Sequence, residues 1–169
     1  KAIGIGVPGL VDVKTGIVKF APNIAMNNYP IGDLIGDKYK IDVFVGNDVN
    51  VWTLGEWKYS PEGKASNFIG IFVGTGIGGG IIIDNKLYTG SGGVAGELGH
   101  MTVDSNGAIC GCGSRGWLEA VASKTGIQAE IKARIKRGED TDIRESLEKE
   151  GILKSGPLRA AYNKGDIVV

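Results

Sequence analysis

Five of the seven residues from Gly74 to Gly80 are glycine, and this Gly-Thr-Gly-Ile-Gly-Gly-Gly run joins two β-branched stretches, Asn67 to Val73 and Gly79 to Ile83. A segment so bare of side chains makes a turn between strands, in which backbone N–H groups can converge on an anion. No Lys-Ser or Lys-Thr pair follows and no helical pattern opens there, so neither a P-loop nor a dinucleotide fingerprint fits. A plain hairpin has the same spacing, and the residues alone leave both readings open. Glycine is 29 of 169 residues, far above the usual ~7%. With 42% hydrophobic residues and no short repeat, the chain is neither collagen-like nor disordered, and the excess serves turns and close backbone approaches.

Lys+Arg and Asp+Glu balance at 19 each, which removes the electrostatic footprint of a nucleic-acid module from this stretch. A chain of 169 residues makes one domain or two small lobes and can bury a sizeable core. The uncharged run from Ala65 to Ile83 carries six glycines and splits into two β-rich halves, so it is not a transmembrane helix. No signal-peptide pattern precedes it. Cys110 and Cys112, one residue apart, suit metal or redox chemistry better than a structural bridge, and a reducing interior is the simpler setting. The chain starts at Lys1 inside an apolar alternation and ends at Val169 in an apolar run, the look of a piece cut from something longer.

The patterning predicts a buried strand from Lys1 to Val7, strands at Ile17 to Phe20 and Ile41 to Val45, and a helix from Val49 to Lys58 with Asp48 as its N-cap. Ser60 to Ser66 reads as a linker. A meander follows: the strands flanking the glycine run, then Lys86 to Tyr88 and Met101 to Val103. Ile127, Ile131 and Ile135 recur every four residues in a stretch of mixed charge, the mark of amphipathic helices with a solvated outer face. A last helix begins at Gly156-Pro157 and runs through Tyr162. Strands before helices in each half imply α+β or α/β layering in two lobes, residues 1–65 and 66–169.

Several residues are candidates for chemistry. Asn47-Asp48 follows an apolar run at a strand end, where open α/β sheets collect functional groups, and a carboxylate there could accept a proton from a substrate hydroxyl. A capping Asp would look the same. Glu97-Leu98-Gly99-His100 holds the chain's single histidine; it could bind sugar hydroxyls, join the cysteines on a metal, or be merely structural. Cys110 and Cys112 follow His100 closely enough for a zinc triad by ligand type, although two small thiols in a glycine loop fit equally. Glu119 reads either as a functional carboxylate or as an ordinary first-turn acid.

The order of these signals carries more than any one of them. The opening GIGVPGLVD, the central NDVN and above all the stretch Gly92 to Ser123, GGVAGELGHMTVDSNGAICGCGSRGWLEAVAS, resemble the ROK family of bacterial sugar kinases and sugar-responsive repressors, over nearly the whole chain. The resemblance implies an actin-like ATPase (ribonuclease H-like) fold, of which this chain is the central fragment spanning parts of two lobes. It implies ATP, with Mg, donating a phosphoryl group to a hexose hydroxyl, with Asp48 as the catalytic base. By the same resemblance Asn47, Asp48, Glu97, His100 and Glu119 hold sugar hydroxyls, and Gly74, Thr75 and Gly76 approach the ATP phosphates. Carboxylates, an amide and an imidazole suit a polyol, because each hydroxyl needs both a donor and an acceptor.

The chain departs from the family pattern at the metal. The family's zinc set is one His and three Cys in the spacing Cys-x-Cys-x4-Cys, and here the third falls on Trp117. His100, Cys110 and Cys112 are left without a fourth ligand, and substoichiometric zinc or none is expected. The family's first phosphate turn and its adenine-binding part fall outside the 169 residues, which predicts no kinase activity from this stretch alone. Two readings follow. One is a glucokinase-like sugar kinase; the other is the effector domain of a ROK repressor whose helix-turn-helix lies upstream and supplies all contact with DNA. Asp48 and the full glycine turn favour the kinase, whereas Trp52 and the lost cysteine pull toward a regulator. Glucose or an N-acetylhexosamine is the expected sugar, in a cytoplasmic protein, oligomeric at full length, with no membrane contact.

Overall fold

The structure, a computed structural model, describes residues 1–21, 24–60 and 65–169. They form two compact units, Lys1–Phe72 with Gly78–Leu98, and Val73–Ile77 with Gly99–Val169. Most of the expected linker, residues 61–64, lies outside the described residues. No helix among the described residues is long and apolar enough to cross a membrane.

The first unit opens with β1 (Ala2–Val7), β2 (Leu10–Asp12), β3 (Ile17–Ala21), β4 (Met26–Tyr29), α1 (Ile31–Tyr39), β5 (Asp42–Asn47) and α2 (Asp48–Tyr59). β1 and β5 pair in parallel, with Val7 opposite Asn47. A parallel pair cannot be joined by a tight turn, and here the crossover is the antiparallel meander β2-β3-β4 followed by α1. Val7, Val11, Val18, Ala21 and Val45 form the core between them. β1 was expected to be buried throughout, yet its residues alternate between exposed and half-buried up to Val7. β5 is its one paired neighbour among the described residues, and Ala2, Gly4 and Gly6, with little or no side chain, take the exposed positions.

β6 (Phe68–Val73), β7 (Ile77–Ile83) and β8 (Lys86–Tyr88) make a third sheet in that order, after β1-β5 and β2-β3-β4. Its glycines let α2 lie directly on the strand backbone. A Cβ at Gly78 would come within 2.7 Å of Val49 Cγ2, one at Gly70 within 2.7 Å of Thr53 Oγ1, and one at Gly80 would run into Thr53. Thr53 is consequently sealed, at 0% exposure. Its Oγ1 and the Asn50 Oδ1 are buried with no hydrogen-bond partner among the described residues.

The second unit carries α3 (Leu118–Ala122), α4 (Lys124–Lys136), α5 (Arg144–Glu150) and α6 (Ser155–Asn163). The isoleucine spacing is realised: Ile131 sits in a core with Ile143, Leu147, Leu153, Ala161 and Val168, and Ile127 and Ile135 pack against it. The strand expected at Met101 to Val103 is reduced to one bridge between Thr102 and Trp117. The cause is local: the Val103 and Asp104 N–H groups both turn onto the Gly116 carbonyl, so no ladder can extend.

Candidate functional site

In the first unit, β5 delivers Asn47 and Asp48 to the start of α2. Asn47 Oδ1 accepts from the Asn50 N–H at 3.1 Å, and its Nδ2 donates to the Gly9 carbonyl at 3.1 Å. Asn47 is therefore the N-cap, in extended conformation, and the expectation that Asp48 caps the helix is corrected. An amide can accept from the helix and donate to Gly9 together, whereas the carboxylate of Asp48 lacks the donor. Asp48 is the first helical residue and is exposed, its Oδ1 accepting from the neighbouring Val49 N–H at 3.0 Å. A Cβ at Gly6 of β1 would lie 3.2 Å from Asp48 Cα, so this glycine keeps the space beside Asp48 clear. Glu97 is exposed and precedes a short 3₁₀ turn, Leu98–His100. Gly96 supports that turn at φ +91°, close to Gly79 of β7.

In the second unit, Glu119 joins two loops. The Ile77 N–H donates to its Oε2 at 2.8 Å, and the Cys110 thiol lies 3.4 Å from its Oε1. A Cβ at Gly76 would strike the Glu119 carboxylate. The glycine turn is not a loose hairpin: the Gly74 N–H donates to Gly76 O at 2.9 Å, the Lys124 N–H to Gly74 O at 3.0 Å and the Thr125 hydroxyl to Thr75 O at 2.8 Å. The start of α4 thus pins the turn by its carbonyls. Lys124 and Thr125 had no place in the expected site; Ser123, which caps α4 by accepting from the Gly126 N–H at 3.0 Å, was the available signal that a helix begins there.

The cysteine loop gathers around His100. The ligand atoms of His100, Cys110 and Cys112 lie within 4.8 Å of one another, whereas donors around a tetrahedral zinc sit about 3.5 to 3.8 Å apart. A small closure would bring all three onto one ion. Burial pushes the Cys110 thiol up from its ordinary pKa, while the Ser114 backbone N–H directed at its sulfur draws the exposed Cys112 down. The fourth corner is another matter. Trp117 stacks on His100 with ring centroids 4.0 Å apart and planes tilted by 35°, and an indole N–H has no lone pair to offer. These residues fit an open three-ligand site and do not fit a closed structural one.

Of the expected sugar set, Asn47, Asp48 and Glu97 belong to the first unit, and His100 and Glu119 to the second. The turn residues Gly74, Thr75 and Gly76 meet Glu119 and the start of α4; His100 meets Trp117 and the cysteines.

Comparison with known proteins gives a consistent picture. The ROK family model matches residues 1–157. A xylose repressor of Caldicellulosiruptor bescii is 42% identical over 136 residues, 80% of this chain and 34% of that protein. A glucokinase of Halalkalibacterium halodurans is 37% identical over 166 residues, 97% of this chain and 50% of that one. The crystal structure of a ROK family glucokinase from Streptomyces griseus in complex with glucose and AMPPNP superimposes with a TM-score of 0.80 at 37% identity, covering 99% of this chain and 55% of the other. The chain therefore spans about a third to a half of the curated relatives it matches.

Proposed function

Because this chain belongs to the ROK family and has the actin-like ATPase fold of its sugar kinases, we propose that it is the hexose-binding part of an ATP-dependent sugar kinase. The observation that carries the reading is the placement of Asp48: Asn47 does the capping, and Asp48 stands exposed at the strand end, its Oδ1 accepting from the next amide. A carboxylate so placed is a base for a sugar hydroxyl. As the hydroxyl oxygen attacks the γ-phosphorus, its proton passes to Asp48, and the bond to the leaving diphosphate opens. Asn47, Glu97, His100 and Glu119 orient the hydroxyls, since phosphoryl transfer asks the protein chiefly for positioning and charge stabilisation. Gly74, Thr75 and Gly76 form the turn that approaches the ATP phosphates, two of its three residues being bare of side chain. Mg accompanies the nucleotide, as it does in phosphoryl transfer generally. Glucose and N-acetylhexosamines are the first sugars to test. A cytoplasmic setting goes with ATP and with free thiols, and a homo-oligomer is the expected state of the whole protein.

The test is Asp48→Asn in the whole protein. Phosphotransfer should fall about 10²- to 10⁴-fold while sugar binding, read by calorimetry, stays within a fewfold. Near-normal turnover would take the base role from Asp48. The second reading, a sugar-responsive repressor with DNA contacted outside these residues, is favoured by the identity of 42% to the xylose repressor. Sugar-dependent release of DNA by the whole protein, with no phosphorylated sugar formed, would decide for it.

A further inference from the structure

We infer that Trp117 has taken over the structural task of a metal in this chain: the loop that carries Cys110 and Cys112 is braced by the Trp117–His100 ring stack, and its three donors form an open, exchangeable zinc site. Three observations lead there. First, the stack engages the face of the His100 imidazole, with centroids 4.0 Å apart and planes tilted by 35°, whereas imidazole ligates through nitrogens in the ring plane. Stacking and coordination are therefore compatible, and the stack holds the ring whether or not an ion is bound.

Second, the loop is closed by hydrogen bonds of its own. The Cys110 N–H donates to Ser114 O at 2.7 Å, the Gly113 N–H to Cys110 O at 2.9 Å and the Gly116 N–H to Ala108 O at 2.8 Å. The Leu118 N–H reaches Met101 O at 2.9 Å, which ties the strand of chain before the loop to the helix after it. A loop so paired does not need an ion to define its shape, in contrast to small zinc domains that fold only around their metal. Third, the position that would close the site is occupied by a side chain with no donor atom, while His100, Cys110 and Cys112 keep their ligand atoms within 4.8 Å of one another. A zinc bound there would have three protein ligands and one position filled by water, the arrangement of an open site rather than a sealed one.

The experiment compares the wild-type whole protein with Trp117→Cys and Trp117→Phe by zinc analysis, chelator competition and thermal melting. Wild type should melt at the same temperature with and without EDTA and should give up its zinc to a chromophoric chelator. Trp117→Cys, which supplies a fourth thiolate, should hold one zinc per chain at least about tenfold more tightly, the least effect expected of a ligand change when outer-shell changes already move affinity 10- to 100-fold. Trp117→Phe keeps a ring for the stack and should be as indifferent to EDTA as wild type. With cobalt in place of zinc, the visible bands of the wild type should shift on adding imidazole, and those of Trp117→Cys should not. A wild-type protein that keeps one zinc per chain through the chelator and loses melting temperature when finally stripped overturns the inference. So does a folded Trp117→Cys that binds zinc no more tightly. If Trp117→Cys does not fold, the response of the wild type to EDTA decides alone.

Discussion

The Glu119 carboxylate accepts the Ile77 backbone N–H at 2.8 Å, across 42 residues of sequence. The anion held at the glycine turn is thus one of the chain's own, and the side chain proposed to hold a sugar hydroxyl is also a strut of the turn proposed to approach ATP. Sugar and turn compete for, or share, one carboxylate. Glu119→Gln keeps one acceptor oxygen for Ile77 but faces Cys110 with an N–H in place of an acceptor, and it carries no charge. A charge-assisted hydrogen bond is worth about 1.5 to 3 kcal/mol, so the Ile77 amide should exchange with solvent roughly 10- to 100-fold faster in Glu119→Ala, with a smaller change in Glu119→Gln. Unchanged protection of that amide in both variants would show that the strut does not form in solution.

Gly76→Ala tests the same relationship from the other side. The added methyl would enter the Glu119 carboxylate, which can swing aside only by giving up the Ile77 N–H and the Cys110 thiol, a loss of about 1 to 3 kcal/mol. Gly111→Ala is the matched control in the cysteine loop, because a Cβ there meets nothing within 4 Å. Chemical denaturation should separate the two, with Gly111→Ala indistinguishable from wild type. Equal stability of both variants would mean that the turn can yield and that Gly76 is there for another reason.

What could be read from the sequence divides along contact range. The glycine turn between two strands, the Asn-Asp pair at a strand end and the isoleucine face of α4 are local patterns, and each appears where its spacing puts it. Asn47 and Asp48 are adjacent residues that both make good N-caps; what selects Asn47 is the Gly9 carbonyl, 38 residues away. The bond from Thr125 to Thr75 spans 50 residues, and no periodicity reports it. Trp117 was visible as a lost ligand, but its stacking on His100 depends on how two loops fold back through the Thr102–Trp117 bridge. The chemistry of single residues was legible; which residue answers which was not.

Thr53 carries a prediction of opposite sign. Its Oγ1 is buried without a hydrogen-bond partner among the described residues, beneath Gly70 and Gly80, and an unpaired buried hydroxyl costs about 1 to 3 kcal/mol. Thr53→Val keeps the shape and removes the orphan, so melting temperature should rise, by the equivalent of about 1 kcal/mol. Gly80→Ala, which drives a methyl into Thr53, should lower it. A destabilised Thr53→Val would reveal a partner for that hydroxyl, an ordered water being the first to seek by crystallography.

Asp166 contributes to the acid response of the second unit. Its Oδ2 accepts from the Thr141 hydroxyl at 2.6 Å and the Asp142 N–H at 2.9 Å, and its Oδ1 from the Val168 N–H at 2.9 Å. The Thr141 hydroxyl, foremost among these, holds the carboxyl below its ordinary pKa of 3.8. A depressed carboxylate stabilises the fold fully above the unfolded-state pKa, and that stabilisation drains away as pH falls through the lower folded value. Asp166→Asn removes the charge and one good acceptor; it should cost about 1 kcal/mol near pH 7, a modest figure because the group is partly solvated. The variant's deficit should shrink as pH drops below about 4, since wild type then loses the same charge. Melting curves from pH 7 down to 3 measure this directly, and a deficit that stays constant over that range would remove Asp166 from the acid response of the helical core.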